Sequence, residues 1–253
     1  MTNSTKNSTL VFIPCMSGAP WDISRFDSLS ERPARLLKLP EAVDDMEVYA
    51  DFVAEAVADL DDYVLVGDSF GAQIALALAV RRPKGLRGLV MSGGFAANPV
   101  TSPFWNTAMR TMGKMRGGAY RHIVLRAHAH RLASPFDGEG QVAWSTAESR
   151  RVFRENTPAE SYGARITAAL SAYYVDKLDQ VAVPTLILTP EHDVIVGAAP
   201  AEVMRTGIPD ATEVVLARTG HMFRFSHPGT YAAAVAKFLA DRVEHREVAG
   251  ARR

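Results

Sequence analysis

The segment Tyr63-Val64-Leu65-Val66-Gly67-Asp68-Ser69-Phe70-Gly71 joins a short apolar run to a glycine-flanked serine, and an alanine-rich stretch follows it. The run is too short for an ordinary helix and suits a strand buried on both faces. Residues 70–82, rich in alanine with Ile74, Leu76 and Leu78, stop at Pro83 and Gly85. This predicts a small-sided helix able to lie close against a sheet. The serine therefore stands on a strand-to-helix turn. A hydroxyl is a poor nucleophile at its free pKa and needs exposure and an adjacent base. The turn supplies exposure, the glycines remove side chains that would collide, and the helix N-terminus aims unpaired N–H groups at a developing oxyanion. A plain turn with a helix-capping serine is the competing reading. The strand before it and the helix after it favour the nucleophile.

Working outward, apolar runs of strand length recur at residues 10–13, 63–66, 89–91, 185–188 and 213–216, several of them followed by a helical pattern. A weaker run at 36–39 carries Lys38 and closes on Pro40, which suits an edge strand. The pattern predicts an α/β fold, a mostly parallel sheet of about six strands flanked by helices. Met46, Tyr49, Val53, Val57 and Leu60 fall at helical spacing behind Asp44, with Glu47 three positions on, as at a capped helix start. Tyr231, Val235, Phe238 and Leu239 mark another helix behind Pro228. Between Gly94 and Val183 the patterning is helical, far longer than the roughly 2–6 residues of an ordinary connection. A core of residues 1–94 and 183–253 with a helical cap or lid at 95–182 is therefore expected.

The chain has 253 residues, 47% hydrophobic and 22% charged, which suits one large globular domain. Lysine plus arginine equals aspartate plus glutamate at 28 each, so no overall field draws the protein to nucleic acid or an anionic membrane. Cys15 is the only cysteine, which excludes an internal disulfide; as a lone apolar-flanked thiol it is expected to be inert packing. The polar start at residues 1–8 lacks the pattern of a signal peptide, and no run approaches the ~20 apolar residues of a membrane span. A cytoplasmic location is the default expectation, and residues 244–253 are expected to fray.

Two later segments bear on the serine. Thr185-Leu186-Ile187-Leu188-Thr189-Pro190-Glu191-His192-Asp193 is a strand and turn ending in an acid, and Ala217-Arg218-Thr219-Gly220-His221-Met222 follows the last apolar run. With the serine turn, they make the chain resemble the α/β-hydrolase superfamily over roughly residues 10–94 and 185–239. The resemblance implies Ser69 as nucleophile, Asp193 as catalytic acid and His221 as general base, in the chain order that this fold uses. The residue types fit: a histidine near neutral pKa can take and return the serine proton, and an aspartate can hold its tautomer. His192 competes as a base, although its neighbour Asp193 suits the acid's turn; His227, before Pro228, reads as a helix-start residue. The resemblance also implies an oxyanion hole from the backbone N–H of Phe70 and, by alignment of the strand end, of Met16. Pro14 and Cys15 stand where the family often has a His-Gly pair, and two additional strands common at the family's start are not expected here.

In the insertion, Trp105, Met109, Met112 and Phe153, with Phe104 and Met115, are candidates to line an acyl pocket or to form the insertion's own core. Arg110, Lys114, Arg116, Arg121, Arg126 and Arg131 occur between 104 and 131 without one acid, as a solvated face or as a lure for an anionic substrate. The expected activity is hydrolysis of a small carboxylic ester or thioester through an acyl-enzyme, without metal or organic cofactor. Lactonase or carbon–carbon bond hydrolase chemistry, or a ligand receptor on the same scaffold, are the alternatives.

Overall fold

The computed structural model describes residues 8–244; the ends at 1–7 and 245–253, including nearly all of the expected tail, lie outside the described residues. Six strands, β1 (Thr9–Ile13), β2 (Ala34–Leu36), β3 (Tyr63–Asp68), β4 (Leu86–Ser92), β5 (Thr185–Pro190) and β6 (Ala211–Leu216), form one sheet in the order β2-β1-β3-β4-β5-β6. Every pairing is parallel. Since side chains alternate along a strand, β1 and β3 feed two separate cores. Val11, Ile13 and Leu65 pack with the helices Met46–Ala56 and Phe70–Ala79 on one face, and Leu10, Phe12, Val64 and Val66 pack with Trp21, Phe26 and the helix Pro228–Phe238 on the other. All ten residues of Phe70–Ala79 are buried, as the alanine-rich sequence implies.

β2 is an edge strand, as expected, but it begins two residues earlier than its apolar run. Leu37 N–H still donates to Phe12 O, whereas Leu39 N–H turns to Gly18 O, so the chain leaves the ladder where the run suggested it would enter. The helix expected behind Asp44 is capped instead by Asp45, whose carboxylate accepts from Glu47 N–H at 2.9 Å, and it ends at Ala56, short of Leu60.

Residues 95–182 contribute no strand to the sheet. Their helices Pro103–Gly113, Leu125–Leu132, Thr146–Asn156 and Ala159–Ser171 share an apolar cluster of Tyr120, Leu132, Trp144, Phe153, Tyr162 and Ile166, which Met222 joins from beyond β6. Among the described residues, no helix is long and apolar enough to cross a membrane.

Candidate active site

Register sets the site. Ile13 pairs with Gly67, and Asp68 with Ser92, so the ends of β1, β3 and β4 lie side by side and their outgoing loops converge. At the end of β3 the backbone reverses sharply: Ser69 has φ 54° and ψ −113°, a left-handed conformation that is strained for a residue with a side chain. The turn is tight enough that a Cβ at Gly67 would overlap the Gly71–Ala72 backbone, and one at Gly71 would overlap the Ile13 and Pro14 carbonyls. Ser69 is held there by its N–H bond to Ser92 O at 2.7 Å.

Asp193 lies in the turn after β5. Its Oδ1 accepts from the N–H groups of Ile195 and Val196 at 2.8 and 3.0 Å, which leaves Oδ2 to face His221 Nδ1 at 2.8 Å. Beyond β6, His221 places its other nitrogen, Nε2, 2.9 Å from Ser69 Oγ. Burial disfavours a charged imidazole, but the attraction and hydrogen bond of Asp193 outweigh it and hold the His221 pKa above its ordinary 6.5. Burial likewise opposes ionisation of Asp193, and His221 with the two N–H bonds reverses that effect and lowers its pKa.

The other candidates lie elsewhere. His192 is half exposed, stacked on Phe136 with centroids 4.5 Å apart and 3.3 Å from Glu191. His227 precedes the helix Pro228–Phe238 and meets Ser226 Oγ through Nδ1 at 2.8 Å.

In the loop after β1, Gly18 N–H donates to Cys15 O at 2.9 Å. Because a trans peptide points its C=O and N–H in opposite directions, this bond turns Met16 N–H outward from the turn. Among the described residues, neither Met16 N–H nor Phe70 N–H donates to another group. Cys15 is buried, with Sγ 3.4 Å from Ser17 Oγ and 3.9 Å from Arg224 Nη2. Neither contact gives the thiol a base, although Cys15 lines the same cavity as Ser69, so Cys15→Ala should keep ester turnover within about threefold of wild type while lowering the thermal midpoint by a few degrees. Loss of turnover in a folded Cys15→Ala protein would contradict a packing role.

Ser69 and His221 open into a cavity of about 390 Å³. Trp105, Met109, Met112 and Phe153 all line it, together with Met16, Trp144 and Phe225. Phe104 does not; it is 71% exposed. Met115 packs against the apolar cluster of Tyr120, Leu132, Trp144, Phe153, Tyr162, Ile166 and Met222. The six basic residues between 104 and 131 are all exposed, and Arg131 alone of them reaches the cavity, its guanidinium 5.7 Å over the Trp105 ring.

The sequence profile of the alpha/beta hydrolase family matches residues 10–234. This chain belongs to that family. A proline iminopeptidase of Thermoplasma volcanium is 26% identical over 212 residues, covering 77% of this chain and 70% of the peptidase. Two solved structures share the fold of this alpha/beta hydrolase. The enol-lactonase of Burkholderia xenovorans LB400 has a TM-score of 0.78 at 18% identity, covering 92% of both chains. A thermophilic esterase from Thermogutta terrifontis has a TM-score of 0.72 at 20% identity, covering 92% of this chain and 89% of its own.

Three further side chains of this alpha/beta hydrolase stand close to the site: Asp68, which with Asp176 is the sequence's fallback for the acid, and Arg224 and His128, which the sequence did not mark. Asp68, one residue before Ser69, accepts from Arg224 Nε at 2.7 Å, and the Arg224 guanidinium lies between the rings of Trp21 and Phe225 at 4.0 and 3.8 Å. The flanking Phe223 and Phe225 were the available hint of an interior arginine. His128 lines the cavity and packs against Phe153 with centroids 4.6 Å apart, its Nδ1 3.2 Å from the Tyr162 hydroxyl. Burial, with the nearby His221 and Arg131 adding to it, drives the His128 pKa down to about 3, so this imidazole is neutral. Nothing in its Ala-His-Ala-His setting distinguishes it from an exposed basic face.

Proposed function

We propose that this alpha/beta hydrolase cleaves uncharged carboxylic esters or thioesters, with Ser69 as nucleophile, His221 as general base and Asp193 as the acid that orients it. The observation that carries the reading is the continuous Asp193–His221–Ser69 hydrogen-bonded line at the wall of an apolar cavity. In the acylation step, His221 Nε2 takes the Ser69 proton as Oγ bonds to the acyl carbon, and the carbonyl oxygen becomes an oxyanion. Among the described residues the N–H groups of Met16 and Phe70 have no other acceptor, and they are the donors for it. His221 then protonates the leaving oxygen or sulfur as the C–O or C–S bond breaks. Water, deprotonated by the same nitrogen, releases the acid and restores Ser69.

Residues 95–182 serve as a cap whose Trp105, Met109, Met112 and Phe153 hold the acyl group. A volume of about 390 Å³ falls at the small end of the roughly 300–1,000 Å³ usual for ligand sites, which favours short or medium acyl chains. Among the described residues Asp68 is the one carboxylate in the lining, and it is already engaged by Arg224. A substrate ammonium would therefore lose its hydration without gaining a partner, which argues against the amino-terminal specificity of a peptidase.

Neutral p-nitrophenyl esters of four to eight carbons should accordingly show kcat/KM at least ~10-fold above matched esters ending in a carboxylate or an ammonium. Arg131 lies at the solvent edge, so the neutral esters should respond little to salt or to Arg131→Gln. Steady-state kinetics across the panel, with Ser69→Ala as background, test the reading. Turnover no greater than that background for every ester and thioester would overturn it.

A further inference from the structure

Arg165 is the largest fully buried side chain of the described residues, 1% exposed, and it belongs to the helix Ala159–Ser171 of the insertion. Among the described residues no carboxylate pairs with it. A buried guanidinium without a counter-ion is costly, and such a group persists where its hydrogen bonds hold something in place. Nη1 donates to Met16 O at 3.0 Å and Nη2 to Pro40 O at 3.3 Å, the Tyr49 hydroxyl stands within hydrogen-bonding reach of the guanidinium as well, and among the described residues Nε has no partner. The fit to the loop is close. Gly18 has φ 73°, and a Cβ there would overlap the guanidinium.

The same loop is gripped from the insertion a second time, since Thr157 Oγ1 donates to Ser17 O at 2.8 Å. The carbonyls of Met16 and Ser17 thus face the insertion and are satisfied there, while Cys15 O is taken by Gly18 N–H. Met16 N–H shares its peptide with Cys15 O, and the next two carbonyls are held from the insertion, so turning Met16 N–H away would strain or break at least one of these three bonds. The planar fork of arginine suits such a double grip, because two donors are held at a fixed separation.

We infer that Arg165 is a positioning residue: by holding Met16 O and Pro40 O it fixes the Met16 N–H where the oxyanion develops, so the insertion completes the catalytic site as well as covering it. This rests on the proposed function, in which Met16 N–H is an oxyanion donor. Removing such a donor outright costs about 10²–10³ in kcat, and a donor left in place but loosely held should cost less, about 10- to 100-fold.

The test uses the full chain with p-nitrophenyl butyrate as substrate and an alkyl trifluoromethyl ketone as the tetrahedral analogue. Arg165→Ala should lower kcat by about 10- to 100-fold with KM within about threefold, and the ketone should bind more weakly by a similar factor. Methylguanidine at millimolar concentration should restore at least ~5-fold of the lost kcat in this variant and none in wild type. Arg165→Lys, which keeps the charge but cannot reach both carbonyls, should lose at least ~5-fold in kcat and in ketone affinity together. It carries the comparison if the alanine variant does not fold. Wild-type kcat in either folded variant overturns the inference, as does a fall in kcat with ketone affinity unchanged, which would mark Arg165 as structural only. A wild-type enzyme that neither turns over the ester nor binds the ketone refutes the proposed function instead.

Discussion

Ser69→Ala should lose ester turnover by roughly 10⁶-fold, by analogy with removal of the nucleophile from a serine protease, and should no longer react with a fluorophosphonate probe. The expectation is specific because a second serine–histidine pair exists in the molecule. Ser226 Oγ lies 2.8 Å from His227 Nδ1, as short as the Ser69–His221 contact at 2.9 Å. Distance alone does not separate them. Ser226 is fully buried and outside the lining of the cavity, whereas Ser69 and His221 both line it. Mass spectrometry of the labelled wild type should place the probe on Ser69 alone, and His221→Ala should abolish labelling at neutral pH. A probe found on Ser226, or labelling that survives Ser69→Ala, would refute the assignment.

Asp193→Asn should lower kcat by about 10⁴-fold with the fold intact. The reason lies in how the carboxylate is held. Oδ1 receives the N–H groups of Ile195 and Val196, so an asparagine must put its carbonyl oxygen there and turn its NH₂ toward His221 Nδ1. That arrangement requires an unprotonated Nδ1 and therefore a proton on Nε2, the nitrogen that has to accept from Ser69. The pH profile gives a second readout. His221 must be neutral to act as a base, so wild-type kcat/KM should rise with pH through a pKa above 6.5. Without the Asp193 charge, burial prevails, and the limb that remains should move to lower pH. Near-normal turnover in the variant would place the acid elsewhere; Asp68 is committed to Arg224, and Asp176 is exposed beside the Tyr173 hydroxyl.

The sheet was legible because buried parallel strands announce themselves as unbroken apolar runs, and the serine turn because few sequences place a glycine-flanked serine between such a run and an alanine-rich helix. Boundaries were less so. β4 takes in Arg87 and Gly88, and β6 starts at Ala211, since ladder bonds continue past the apolar residues that mark them. The edge strand slid by two residues because a strand bonded on one side only is set by a few bonds rather than by burial. What the sequence concealed is long-range and polar. Arg165 sits among the alanines of Ala159–Ser171 and differs in no local way from a surface arginine, yet its guanidinium reaches back to Met16, 149 positions away. His128 and Arg224 were hidden for the same reason: periodicity tells which face is apolar, and a charged residue on that face reads as an exception until its partner is seen.

The Asp68–Arg224 pair bears on how this chain can diverge. Both side chains are 6% exposed, and removing either partner of such a pair strands the other charge among rings, at a cost of about 3–5 kcal/mol. Position 68 adjoins the serine and position 224 lies three residues beyond the histidine, so that cost falls on the two loops that must stay in register. Drift at either site alone leads through a weakened protein, while joint replacement by apolar residues that fill the space between Trp21 and Phe225 does not. The two codons, 156 positions apart, are therefore under one constraint, and in descendants of this sequence they should be inherited or exchanged together.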